Sequence, residues 1–115
     1  MTATMYGIPN CDTMRKARTW LDARGFRHVF HDYKKLGVDA AMLDRWADAV
    51  GWESLLNRAG TSFRKLDDAD KADIDRDKAI ALMVANPSLI KRPVVEGAGP
   101  LLIGFKPEAW ATHFG

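Results

Sequence analysis

Within the first thirty-three residues the apolar pattern changes period twice, and this constrains the fold more than any other feature of the chain. Ala3 to Ile8 is a short apolar run containing Met5, Tyr6 and Ile8 and closed by Pro9-Asn10, which reads as a buried strand ended by a turn. From Cys11 onward Met14, Ala17, Leu21 and Arg24 recur at spacings of three and four, with Ala17, Trp20 and Leu21 as an apolar stripe. That spacing predicts a helix. Asn10 is placed to cap its N-terminus, and Gly25 stands where a helix end favours a residue tolerant of positive φ. Phe26 to Tyr33 then alternates, with Phe26, His28, Phe30 and Asp32 on one face, and predicts a second strand. Strand, helix and strand in about thirty residues make a right-handed βαβ unit.

The middle of the chain reads as helical. Asp39 can cap a helix running to Val50, with Leu43, Trp46, Ala47 and Val50 as its apolar face. Trp52 to Leu56 predicts a further short helix and Asn57 to Thr61 a loop. A charged run from Asp67 to Lys78 predicts a solvated helix surface, and Ile80, Leu82, Met83 and Val84 a buried helix that Asn86-Pro87 interrupts.

The last third turns to strands again. Val94-Val95-Glu96 and Leu101-Leu102-Ile103, joined by Gly97-Ala98-Gly99-Pro100, carry a hairpin signature, and Pro107 opens a final short helix bearing Trp110 and ending near Phe114. Joining the two ends predicts an α/β fold: a four-stranded mixed sheet with helices against it, in one domain over 1–115, with a helical insert over about 38–90. A chain of 115 residues can bury a sufficient core without disulfides or metals. Its net charge of +2, with both signs mixed along the chain, gives no nucleic-acid footprint. No apolar stretch is long enough for a membrane span, no secretory leader pattern is visible, and a single cysteine suits a reducing compartment, so the expected location is the cytoplasm.

Cys11 concentrates the chemistry. It follows a strand and a turn and begins a helix, where free backbone N–H groups and the helix dipole stabilise a thiolate, the reactive form of cysteine. The competing reading is a buried structural cysteine. Asp12 opposes a thiolate unless it faces solvent and complements the helix dipole. Met14 occupies the second cysteine position of a Cys-x-x-Cys motif, so a resolving thiol must come from another molecule, such as glutathione or a partner protein. Arg92 precedes Pro93 just before an apolar strand. An X-Pro bond can be cis, and Arg92 can present its guanidinium to an anion; the plainer reading is a surface loop with a trans proline. Arg58, Arg64, Lys65 and Lys91 are further basic residues near predicted loops. His28 and His31 lie three apart in a predicted strand and cannot chelate together, and no metal site is expected.

The segments Gly7-Ile8-Pro9-Asn10-Cys11-Asp12-Thr13-Met14-Arg15-Lys16-Ala17, Leu55-Leu56-Asn57, Gly60 to Leu66, Lys91-Arg92-Pro93 and Leu102-Ile103-Gly104-Phe105 resemble the ArsC/Spx family, and within it the YffB-type branch of small bacterial proteins. The resemblance spans nearly the whole chain in the right order. It implies a thioredoxin-like fold with a helical insert, Cys11 as nucleophile and Pro93 as a cis proline facing it. It also implies an anion-binding role for Arg92, and gives Asn10, Arg92, Pro93, Arg58 and Arg64 as the candidate substrate- or anion-binding set. Arsenate reductases of the family carry Gly-Arg-Pro-Pro after the last strand, where this chain reads Gly104-Phe105-Lys106-Pro107; Lys106 is the adjacent cation. The related branch places a basic residue before the glycine of its loop, whereas Asn57-Arg58-Ala59-Gly60 has its arginine one position early. Spx-type regulators commonly use Cys-x-x-Cys as a redox switch, which Met14 removes.

Three functions follow as expectations. The first is a monomeric thiol oxidoreductase that holds no bound cofactor, uses Cys11 as its one nucleophile and takes glutathione as co-substrate. The second is an arsenate reductase. The third is a non-enzymatic, Spx-like module docking on RNA polymerase or another protein such as a redoxin, with Trp46 and Trp52 in the contact surface.

Overall fold

The computed structural model describes residues 2–9, 11–97 and 99–114, with the side chains of residues 113 and 114 outside the description. The chain divides into two compact units, Met1–Leu36 with Arg92–Gly115, and Gly37–Lys91.

The first unit holds a four-stranded mixed sheet in the order β2-β1-β3-β4. β1 (Ala3–Gly7) pairs in parallel with β2 (His28–Asp32), as a βαβ unit requires, and antiparallel with β3 (Val94–Glu96). β4 (Leu102–Ile103) pairs antiparallel with β3. The register puts Phe30 opposite Met5, Met5 opposite Val95 and Val95 opposite Leu102, one apolar row across all four strands. That row and Ala3 meet Met14, Ala17 and Leu21 of α1 (Asp12–Ala23) and Trp110 of α8 (Pro107–Phe114) in a single core. The stripe at i, i+3 and i+7 is the reason α1 lies on this face. Gly25, at φ +71°, turns the chain from α1 toward β2. The fold is thioredoxin-like, a mixed sheet with an opening βαβ and a closing ββα.

Two boundaries differ from the sequence reading. α1 starts at Asp12 with Cys11 in extended geometry as its N-cap, one residue later than an Asn10 cap would give; Asn10 itself lies outside the described residues. The second strand covers His28–Asp32 instead of running from Phe26 to Tyr33. The Asp32 carboxylate accepts the N–H groups of Lys34 (3.1 Å) and Lys35 (3.2 Å), and this side-chain cap starts the short helix α2 (Tyr33–Leu36) at the residue after the strand.

The second unit is helical. Asp39 caps α3 (Ala40–Val50), accepting the Met42 N–H at 2.8 Å, and Leu43, Trp46 and Ala47 are its buried face. α4 (Trp52–Leu55) follows, then α5 (Thr61–Arg64), which begins inside the expected loop. The charged run does not form one helix surface. It divides into α6 (Asp68–Lys71) and the start of α7 (Arg76–Ala85), separated by a turn in which Asp73 has φ 50°. The Lys78 ammonium donates back to the Ala69 carbonyl at 2.7 Å and to that of Ala72, closing the end of α6. Ala79, Ile80 and Met83 are buried while Val84 is exposed, which corrects the expected apolar face of α7. A 3-10 turn at Pro87–Leu89 follows, and Leu56 and Ile90 form an isolated bridge. Among the described residues no helix is long and apolar enough to cross a membrane.

Candidate active site

Three strand ends in the first unit build the site. β1 and β2 run in parallel and end in register, Gly7 opposite Asp32, so the segments leaving them emerge at the same edge of the sheet. Cys11 lies four residues beyond the end of β1, and Tyr33 directly follows β2. β3 runs the other way and begins at this edge, with Val94 opposite Tyr6, which brings the preceding pair Arg92-Pro93 there as well. The Arg92–Pro93 peptide is cis, as the resemblance implied. Pro93 is buried, and its carbonyl accepts the Gly104 N–H at 2.8 Å, which ties this segment to the end of β4.

Cys11 is half-buried, and its carbonyl accepts the Arg15 N–H at 3.0 Å in the first turn of α1. Its side chain makes no capping hydrogen bond of ordinary length. Burial pushes the thiol up, but the Met14 N–H, a hydrogen bond from the Arg92 guanidinium, the Thr13 N–H and the Arg92 charge together outweigh it. The thiol is therefore held below its ordinary value. Asp12, the residue that would oppose a thiolate, is exposed and paired with Arg15.

Arg92 is half-buried. Burial disfavours its cation, and its side-chain hydrogen bonds to Tyr33 and Cys11 more than offset this, so the guanidinium stays charged. Tyr33 is fully buried. Burial pushes its phenol up; the bond from Arg92 opposes this, and the charges of Cys11 and Asp32 add to it. The site thus places a stabilised sulfur, a fixed cation and a neutral phenol together. Such a set can attack an electrophilic sulfur and hold an adjacent anion.

The remaining basic candidates belong to the helical unit. There the Arg58 guanidinium lies 5.7 Å from the centre of the Trp52 ring, and Arg64 donates to the Thr61 hydroxyl at 3.4 Å. Tyr33 is the residue that sequence reasoning passed over as part of a strand. The available signal was Asp32 as a helix cap ahead of Tyr33-Lys34-Lys35-Leu36.

A family model described as the ArsC family matches residues 6–113. The chain belongs to the ArsC family. The YFFB (PA3664) protein superposes with a TM-score of 0.95 at 57% identity, covering 98% of this chain and 99% of that one. An arsenate reductase (ArsC) related protein from Brucella melitensis gives a TM-score of 0.78 at 54% identity, over 99% of this chain and 95% of that one. Among curated relatives, an uncharacterized protein of Haemophilus influenzae is 39% identical across 96% of this chain and 97% of its own. The global transcriptional regulator Spx of Streptococcus pyogenes is 30% identical across 89% and 77%.

Two further positions bear on the chemistry of this ArsC-family site. Met14, where a second cysteine would stand, is buried in the core. Phe105, where the resemblance puts the arginine of arsenate reductases, packs its ring 6.3 Å from Trp20 and 5.0 Å from Trp110, edge-on to both. The Trp110 indole N–H donates to the Gly104 carbonyl at 3.1 Å, fixing this aromatic cluster against the turn. The exposed Lys106 next to it contributes its carbonyl to the Trp110 N–H at 2.9 Å.

Proposed function

We propose that this ArsC-family protein is a glutathione-dependent thiol oxidoreductase of the cytoplasm with Cys11 as its one nucleophile. The observation that carries this reading is the sole cysteine sulfur, hydrogen-bonded by Arg92 at the start of α1, with a buried methionine in place of a resolving cysteine.

The Cys11 thiolate attacks the glutathionyl sulfur of a mixed disulfide. A new S–S bond joins Cys11 to glutathione, the old S–S bond breaks, and the substrate leaves as a thiolate that takes a proton from solvent. A glutathione thiolate then attacks the glutathionyl sulfur on Cys11, which forms oxidised glutathione and returns the Cys11 thiolate. In sum one glutathione thiol is consumed per mixed disulfide: the substrate sulfur leaves reduced as a thiol, and the glutathione it carried leaves joined to the incoming one as oxidised glutathione. Arg92 stabilises the Cys11 sulfur as attacking and as leaving anion, and offers its charge to a glutathione carboxylate.

The test is turnover of the mixed disulfide between glutathione and 2-mercaptoethanol, with release of oxidised glutathione followed. Turnover by the unaltered protein and its loss in Cys11→Ser are expected; undiminished turnover in Cys11→Ser would show the mechanism to be wrong. Arsenate-dependent oxidation of glutathione is expected to be absent at millimolar arsenate, because Phe105 supplies no cation. The Spx relatives support a second, non-enzymatic reading, docking on the transcription machinery. Recovery of RNA polymerase subunits from a bacterial lysate, independent of Cys11, would favour it.

A further inference from the structure

We propose that Tyr33 is a positioning residue of this site: its hydroxyl holds the Arg92 guanidinium against the Cys11 sulfur. The inference rests on reading Cys11 as the nucleophile and adds a second residue behind it. It starts from topology. Tyr33 is the first residue past β2, whose last residue pairs with Gly7 at the end of β1, so its position is fixed by the same parallel register that fixes the approach to Cys11. The Asp32 cap then turns the chain into α2 at once, which prevents Tyr33 from continuing the strand.

Tyr33 is 0% exposed, a burial that would suit phenylalanine unless the hydroxyl has a partner. No buried side-chain nitrogen or oxygen among the described residues lacks one. Arg92 is one group hydrogen-bonded to Tyr33, and the same guanidinium also bonds Cys11. A guanidinium is a planar fork with its donors in fixed directions, so an acceptor on one arm sets where the other arm points. With the phenol oxygen taking one arm, the other is aimed at sulfur. Without it, a half-buried arginine is free to swing toward solvent, where its charge is better hydrated. Tyr6, the other tyrosine of the chain, has a different partner, its hydroxyl donating to Glu96 at 3.0 Å.

The experiment is the rate of Cys11 alkylation by iodoacetamide against pH in the wild type, Tyr33→Phe, Arg92→Ala and the double variant. Tyr33→Phe should raise the alkylation midpoint and slow the reaction at pH 7 by about threefold to tenfold, the range set by one hydrogen bond. In the Arg92→Ala background the same substitution should change nothing, because there is no guanidinium left to position. A merely structural tyrosine would act alike in both backgrounds, and that result, or an unmoved midpoint in Tyr33→Phe, overturns the proposal. If Tyr33→Phe does not fold, Arg92→Lys carries the test. A lysine carries its charge on one nitrogen at the end of a flexible stem, with no rigid fork to couple the two contacts, so a raised midpoint is expected and an unchanged one overturns the proposal. A wild-type midpoint at the free-thiol value would overturn the nucleophile reading itself; a low wild-type midpoint unmoved in Tyr33→Phe removes only the role of Tyr33.

Discussion

Gly7→Ala should destabilise this protein through one side chain, Met14. Gly7 ends β1 with a backbone conformation open to any residue, so alanine meets no torsional objection there. A Cβ at this position, however, would fall 2.3 Å from the Met14 sulfur and 2.5 Å from its terminal methyl. Ordinary carbon contacts lie at about 3.5–4.0 Å, so the end of Met14 must move by more than an ångström. Methionine is flexible, but Met14 is 1% exposed and shares its core with Met5, Ala17, Leu21, Val95, Leu102 and Trp110, which leaves little space to receive it. Overpacking of this kind costs about 1–3 kcal/mol. Loss of glycine freedom in the unfolded chain returns about 0.4–1 kcal/mol. The net expectation is a loss of about 1–2 kcal/mol, with Tm lowered by about 4–8 °C for each kcal/mol in a domain near this size. Thermal unfolding of a double-mutant cycle with Met14→Ala checks the reasoning. The single Met14→Ala change should cost about 2–5 kcal/mol by opening a cavity, and Gly7→Ala in that background should be neutral or stabilising, since the added methyl group occupies the freed space. A coupling of about 0.5–3 kcal/mol is the expected signature of direct contact. Additive effects, or a Gly7→Ala protein as stable as wild type in both backgrounds, would refute the account.

Other outcomes follow from the same structure. Arg92→Ala should raise the alkylation midpoint of Cys11, because the thiolate loses both a hydrogen bond and a neighbouring charge; alkylation kinetics against pH measure it. The depressed Cys11 thiol links stability to pH: its contribution is fully present above the unfolded value of about 8.5 and disappears as pH falls through the lower folded value. The Tm of wild type minus that of Cys11→Ser should therefore grow as pH rises toward that value, and a difference constant with pH would contradict it. Asp39→Ala removes the side-chain acceptor of the Met42 N–H and should lower stability by about 1 kcal/mol with no change in Cys11 reactivity.

The period changes at both ends of the chain were enough to read the βαβ opening, the ββα close and the mixed sheet, because every element turns apolar residues, from one to four, toward one shared core. Cys11 at a helix start was legible for the same reason, and the cis Arg92–Pro93 peptide came through family resemblance, since no local pattern distinguishes it from a trans bond. What escaped depends on single side chains instead of periodicity. α5 and α6 are four residues long, too short for a helical repeat to show. The break inside the charged run is held by Lys78 reaching back to two carbonyls, and the turn at Tyr33 by the Asp32 carboxylate. Tyr33 was hidden within the alternating run Phe26 to Tyr33, which reads smoothly through the point where the strand stops.

The central claim is a stabilised thiolate that uses glutathione. It is tested most directly by the rate of Cys11 alkylation in the unaltered protein against pH, with and without glutathione, followed by mass. A midpoint clearly below the free-thiol value of about 8.5, with alkylation slowed by glutathione, is predicted. A midpoint at or above that value, with no effect of glutathione, would contradict the account.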